Sequence, residues 1–260
     1  MEIPIYQVDA FTDHVFGGNP AAICPLTRWL PDATLQAIAA ENNLAETAFF
    51  VPEAECYRLR WFTPTVEMPL CGHATLASAH VILHHLAPAA SLLRFQTLSG
   101  ELTVARDGDK LVLDFPARPG VRIAPLAALH EALGAHPLEI LQAPYYLAVF
   151  AHEDDVRTLQ PDFRLLAALA PVICTAPGSD GIDFVSRFFA PSHGVDEDPV
   201  TGSAHCTLVP YWAGRLKKTT FRARQISRRV GELWLELKGD RVLMAGQGVE
   251  YLRGTITVPE

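Results

Sequence analysis

The hydrophobic pattern along the chain switches repeatedly between short alternating runs and longer runs with helical spacing. Residues 3–10 and 48–52 are β-rich, and residues 57–62 alternate apolar and polar in the manner of a strand. Pro31 and Asp32 supply start signals for a helix over residues 33–42. Residues 72–86 are alanine-rich, keep apolar positions at helical spacing and contain no Pro or Gly after Gly72, which predicts a second helix. The segment 202–216 repeats that pattern, with Pro210 expected to kink or shorten it. Hairpin-like runs follow each of these helices, at 92–105 with 110–115 and at 221–237 with 241–245. Asp107-Gly108-Asp109 and Lys238-Gly239-Asp240 supply their turns. Each half therefore reads as several strands plus two helices, an α+β unit.

The two halves also match residue for residue. PDATLQAIAA at 31–40 aligns with PDFRLLAALA at 161–170, with five of ten positions identical at an offset of 130. Arg60-Trp61-Phe62-Thr63-Pro64 echoes Arg187-Phe188-Phe189-Ala190-Pro191 at an offset of 127. Glu67-Met68-Pro69-Leu70-Cys71-Gly72-His73-Ala74 echoes Glu197-Asp198-Pro199-Val200-Thr201-Gly202-Ser203-Ala204 at 130 again. Gly100-Glu101-Leu102 and Gly108-Asp109 recur as Gly231-Glu232-Leu233 and Gly239-Asp240, at 131. Such a period is far longer than the ~20–50 residues of a solenoid repeat. The expected organisation is two related domains in tandem, 1–116 and 119–251, with PARPG at 116–120 as linker. Residues 252–260 have strand character and are expected to return to the first domain.

Composition narrows the function classes. With 260 residues, 49% hydrophobic and 19% charged, the chain has enough apolar material for a sizeable core. Lys and Arg number 21 against 29 Asp and Glu, a net charge of −8, which excludes a binder of the nucleic-acid backbone. No uncharged apolar run approaches the ~18 residues of a spanning helix, and MEIPIYQVDAF lacks the basic start of a signal peptide, so no membrane association is expected. Five cysteines, odd in number and never closely paired, fit a reducing compartment, and a cytoplasmic protein is the expectation.

Candidate chemistry gathers around the two glycines that open the alanine-rich helices. Gly72 and Gly202 each follow an E-x-P turn, and helix N-termini offer N–H groups and about half a positive charge to a small anion. The flanking residues differ: Cys71 and His73 in the first half, Thr201 and Ser203 in the second, with Asp198 in place of Met68. Asymmetric residues on a duplicated frame imply different jobs on one ligand. Glu46 in NLAETAFF sits in apolar company before a strand, where burial would raise its pKa as proton transfer needs; the alternative is a surface Glu at a helix end. The corresponding place in the second half, near Ala176 and Pro177, carries no acid. His73, His80 and His84 fall on one helix face and invite a metal reading, yet the Glu of a zinc-protease motif is missing. The chain has no GxGxxG after a strand, no P-loop and no GxSxG elbow, and the basic run RARQISRR at 222–229 reads as a solvated strand face or an interface.

Four blocks in combination resemble the phenazine-biosynthesis PhzF-like isomerase family, a branch of the diaminopimelate-epimerase-like fold: VDAFTDHVFGGNPAAI at 8–23, NLAETAFF at 43–50, RWFTPTVEMPLCGHAT at 60–75 and DEDPVTGSAH at 196–205. The resemblance implies two similar domains, each a curled, mostly antiparallel sheet around a central helix, with one site between them. It gives Glu46 the role of catalytic acid/base and makes His73 and Asp198 catalytic partners. Gly72, Gly202 and Ser203 become anion-binding residues, and Asn19 a residue lining the substrate cleft. The implied reaction moves a proton within a small, cyclic carboxylate without metal or organic cofactor. The epimerase branch needs a thiol before each glycine; Thr201 is far too weak an acid to replace one, and Cys71 then reads as a packed small residue. The rivals are a non-catalytic small-molecule-binding or interaction protein on the same fold, and a metal-dependent hydrolase built on the three histidines. A homodimer is the default expectation for assembly.

Overall fold

A computed structural model describes residues 1–258. The chain divides into two compact units, one of residues 1–114 with the segment returning from Ala245, the other of residues 115–244. The first contains β1 (Glu2–Ala10), β2 (Asn19–Pro25), α1 (Asp32–Asn42), β3 (Glu46–Glu53), β4 (Cys56–Phe62), β5 (Glu67–Met68), α2 (Gly72–Val81), β6 (Leu92–Thr97), β7 (Gly100–Asp107) and β8 (Lys110–Pro116). The second contains β9 (Val121–Ile123), α3 (Ala127–Leu133), β10 (Glu139–Gln142), β11 (Tyr146–Val149), α4 (Glu153–Arg157), α5 (Phe163–Leu166), β12 (Val172–Pro177), β13 (Phe184–Ala190), β14 (Val195–Asp198), α6 (Gly202–Leu216), β15 (Thr220–Gln225), β16 (Gly231–Lys238) and β17 (Arg241–Gly246). The last strand, β18 (Gly248–Thr257), pairs along all of β1. The return to the first unit thus begins at residue 245, earlier than the expected 252, because the ladder needs the whole strand.

Both units are α+β and repeat one ladder. β2 runs parallel to β3, β3 antiparallel to β4, β4 antiparallel to β5 and parallel to β6, and β6 antiparallel to β7. β11 to β16 repeat this series, pairing and direction alike. In the first unit Trp61 faces Met68 and Phe62 faces Glu67; in the second, Phe188 faces Asp198 and Phe189 faces Glu197. The register thus aligns the halves as the sequence did. Each copy closes this hairpin with a bidentate ion pair: Arg60 Nε and Nη2 lie 2.7 Å from the two Glu67 oxygens, and Arg187 Nε and Nη2 lie 2.7 and 2.9 Å from those of Glu197. Each guanidinium also lies over a phenyl ring, 5.1 Å from Phe62 and 4.8 Å from Phe189. Behind the E-x-P turns, Ser99 Oγ donates to Pro69 O at 2.7 Å and Ser227 Oγ to Pro199 O at 2.8 Å.

The central helix α2 is buried on every side and packs on β1, β2, β3 and β18. Such a helix has no polar face, so its small residues bring the sheet close and its hydroxyls must bond inward. Thr75 Oγ1 donates to Cys71 O at 2.5 Å and Ser78 Oγ to Ala74 O at 2.7 Å. The helical spacing continues past Val81, but residues Ile82–Leu86 form a wider π turn, in which Ala87 N reaches back five residues to Ile82 O at 2.7 Å. In the second unit α6 runs unbroken through Pro210, contrary to the expected shortening. Proline removes the amide that would bond Cys206 O, and Arg118 N donates to that carbonyl instead, at 2.8 Å. The PARPG segment, expected to be a linker, is therefore tied to its helix, and Ala117 N adds a bond to Asp240 O. Its helix α5 is short, four residues against eleven in α1, with Asp162 accepting from Arg164 N and Leu165 N at its start. Arg222 and Arg224 of the basic run both bond Glu232 across the ladder, as a solvated strand face would. No described helix is long and apolar enough to cross a membrane.

His205 in α6 is fully buried, donates through Nδ1 to Thr201 O at 2.8 Å and has its pKa pushed down to about 4 by burial. An unfolded histidine titrates near ~6.5, so the unfolded chain binds the extra proton first as pH falls. The stabilisation from keeping His205 neutral is complete above that value and is lost as pH drops toward 4. Urea unfolding at pH 7 and pH 5 should show a loss of about 2 kcal/mol from this residue, absent in His205→Gln.

Candidate active site

The first unit brings four of the sequence-selected residues together. Asn43, in the left-handed conformation at φ 49°, ends α1 through a bond from its amide to Ala39 O. The chain can then enter β3 with Glu46 as its first residue, beside Ala21 of β2. Gly18, at φ 56°, makes the turn into β2, where a Cβ would stand 2.1 Å from Ala10 O, and so delivers Asn19 to the first position of that strand. Cys71 and His73 flank Gly72, which opens α2.

These side chains meet around the His73 ring. Asn19 Nδ2 lies 3.1 Å from His73 Nδ1, Cys71 Sγ lies 3.5 Å from the same nitrogen, and Glu46 Oε2 lies 3.1 Å from His73 Nε2. His73 and Asn19 are buried, and the Glu46 side chain keeps 15% exposure. Glu46 Oε2 and His73 Nε2 are at ion-pair distance, yet neither atom makes an aligned hydrogen bond. Burial works against a charge on His73, but its Cys71 and Glu46 neighbours outweigh it and hold its pKa well above the usual value. Burial, and then the Glu46 charge, push the Cys71 thiol up to about 11. Cys71 is therefore a neutral thiol at neutral pH.

The second unit repeats the frame and not the chemistry. Thr47 pairs with Phe62 as Val172 pairs with Phe189, so the residue corresponding to Glu46 is Pro171, and not one near Ala176 and Pro177 as the sequence offset suggested. β11 begins only at Tyr146, directly after the turn that follows Gln142, so the second unit has no strand residue in the place of Asn19. Thr201 and Ser203 stand for Cys71 and His73. Asp198 Oδ2 accepts from Thr201 Oγ1 at 2.5 Å, and the buried Gln225 joins Thr201 N, Thr201 Oγ1 and Asp198 O. Tyr145 Oη lies 3.5 Å from Ser203 Oγ and its ring meets Phe188 edge-on. Neither Cys71 nor Thr201 caps its helix with its side chain. Sequence reasoning missed Gln225, which has no counterpart signal, and Ser99 with Ser227, which an extension of the repeat alignment would have found.

The donors Glu46, Cys71 and His73 lie within 4.8 Å of one another. Glu46 lies nearest His73 Nε2 and Cys71 nearest Nδ1. Among the described residues no three-donor group includes His80 or His84. Those two rings stack on each other with centroids 4.0 Å apart, and burial pushes His80 down to about 4.

A duplicated α+β frame with its Glu–His–Cys set confined to one copy defines the class. The sequence matches the model of the phenazine biosynthesis-like protein family over residues 8–254, and the chain belongs to that family. It is 52% identical over 257 residues to an uncharacterized isomerase of Pseudomonas aeruginosa, covering 98% of this chain and 99% of that one. The fold superposes with a TM-score of 0.96 on the crystal structure of a phenazine biosynthesis protein of the PhzF family from Enterococcus faecalis, at 45% identity and covering 99% and 100% of the two chains. A Clostridium difficile structure described as a putative phenazine biosynthesis PhzC/PhzF protein gives 0.92 at 39% identity, covering 98% and 100%.

Two outcomes follow for this site. Glu46→Gln removes the anion beside His73, so the His73 pKa should fall, as followed by NMR titration. In the native protein the stabilising charge on His73 is complete below ~6.5 and lost as pH rises through the raised folded value, so the variant should lose most stability on the acid side. Gln225→Leu strands several buried polar groups and should cost about 3 kcal/mol in urea unfolding.

Proposed function

We propose that this protein is an isomerase that moves a proton within a small, cyclic carboxylate, with Glu46 as the single acid/base. The observation that carries the reading is the pair of buried, unaligned atoms Glu46 Oε2 and His73 Nε2 at 3.1 Å. In the reaction, the Glu46 carboxylate takes a proton from one ring carbon and the C–H electron pair enters the conjugated system. The resulting carboxylic acid returns the proton to another carbon, so substrate and product have the same composition. His73 stabilises the carboxylate form by its charge, and Gly72, which opens α2, offers helix N–H groups to the substrate carboxylate. The description of the Pseudomonas aeruginosa relative as an isomerase supports this class of reaction. The raised Cys71 pKa and the threonine at 201 argue against chemistry with two thiols.

Incubation with a panel of small cyclic carboxylates in deuterated water should show carbon-bound deuterium in at least one compound. Glu46→Gln should slow that incorporation by at least ~100-fold. An activity abolished by Cys71→Ala and retained by Glu46→Gln would overturn the assignment.

A further inference from the structure

The second copy of the fold shows which residues the frame itself requires. It keeps the bidentate Arg–Glu pair, the phenyl ring under the guanidinium and the serine behind the E-x-P turn. It lacks Glu46, His73 and Asn19 together, having Pro171 and Ser203 in the places of the first two and no strand residue in the place of Asn19, because β11 begins only at Tyr146. Asn19 therefore goes with the chemical set and not with the structural one. It is also fully buried and bonded to His73 Nδ1 at 3.1 Å, which suits a partner of the histidine better than the cleft-lining substrate contact that the family resemblance implied.

We propose that Asn19 is a positioning residue that lets His73 gain and lose a proton in place. An amide carries a donor and an acceptor on one planar end. With its NH2 toward Nδ1, it holds neutral His73 in the tautomer whose proton is on Nε2, facing Glu46. A half-turn of the amide presents the carbonyl oxygen, which accepts from the Nδ1–H of the imidazolium. The ring keeps its place in both states, with Nε2 turned to Glu46 throughout. The other groups facing the ring are Cys71, a neutral thiol on the Nδ1 side, and Glu46 itself. A carboxylate in place of Asn19 could only accept, and would trap the imidazolium.

This inference rests on Glu46 acting as acid/base, and its test separates the two. Nitrogen-15 NMR of the wild-type imidazole should show the neutral His73 protonated on Nε2. Asn19→Asp should keep the ring protonated to higher pH, and move the pH profile of deuterium incorporation the same way. Asn19→Ala should lower kcat more than ten-fold with KM within two-fold. A neutral His73 carrying its proton on Nδ1 in the wild-type protein would overturn the proposal, whatever the variants do. So would an Asn19→Asp titration identical to wild type. The expected nitrogen shifts in a protein that shows no deuterium incorporation would support the Asn19–His73 coupling and sink the isomerase reading.

Discussion

The constraint on which the first unit depends is a helix with no exposed face. Every residue of α2 is buried, so each polar group on it must find a partner inside the unit. Thr75 and Ser78 meet that demand by bonding back along the helix. His73 cannot, and its ring is served from outside the helix by Asn19 and Glu46, with the Cys71 thiol beside Nδ1. The packing requirement and the chemical site are thus the same few contacts. A charge on His73 is tolerable there because a carboxylate stands beside it; without one, burial alone takes a histidine the other way, as His205 and His80 show.

Duplication supplies an internal comparison that a single domain lacks. Features kept in both copies, such as the Arg60–Glu67 and Arg187–Glu197 pairs, hold hairpins that feed the two alanine-rich helices. The Glu46, Cys71 and His73 set is present in the first copy and absent from the second. In the second unit Thr201, Asp198 and Gln225 form a hydroxyl, carboxylate and amide network where the first has an ionisable set. The lone cysteine before Gly72 is buried beside His73, and burial keeps its thiol neutral.

Much of the frame was legible in the sequence because its signals are local or periodic. Alternation marked β4, start signals at Pro31 and Asp32 marked α1, and the glycine turns marked the hairpins. The repeat offsets named the paired helices, and the register of β4 with β5 and of β13 with β14 agrees with that alignment. Errors came where a distant group supplies a bond. Pro210 breaks a local rule, but Arg118 N occupies the carbonyl it frees. The counterpart of Glu46 was misplaced because the loops between the repeats differ in length, and only strand pairing removes that ambiguity.

Sequence alone determined the fold class, the duplication and the family, since those follow from composition, periodicity and motif spacing. It also selected Glu46, His73 and Asn19, though as separate residues 27 positions or more apart along the chain. Only the tertiary structure decided that they share one imidazole, that Asn19 is buried beside it, and that Cys71 lies within 4.8 Å of both His73 and Glu46. The physical reason is that hydrogen-bond partners and charge environments depend on distances across strands and helix ends, and linear spacing carries no measure of those distances.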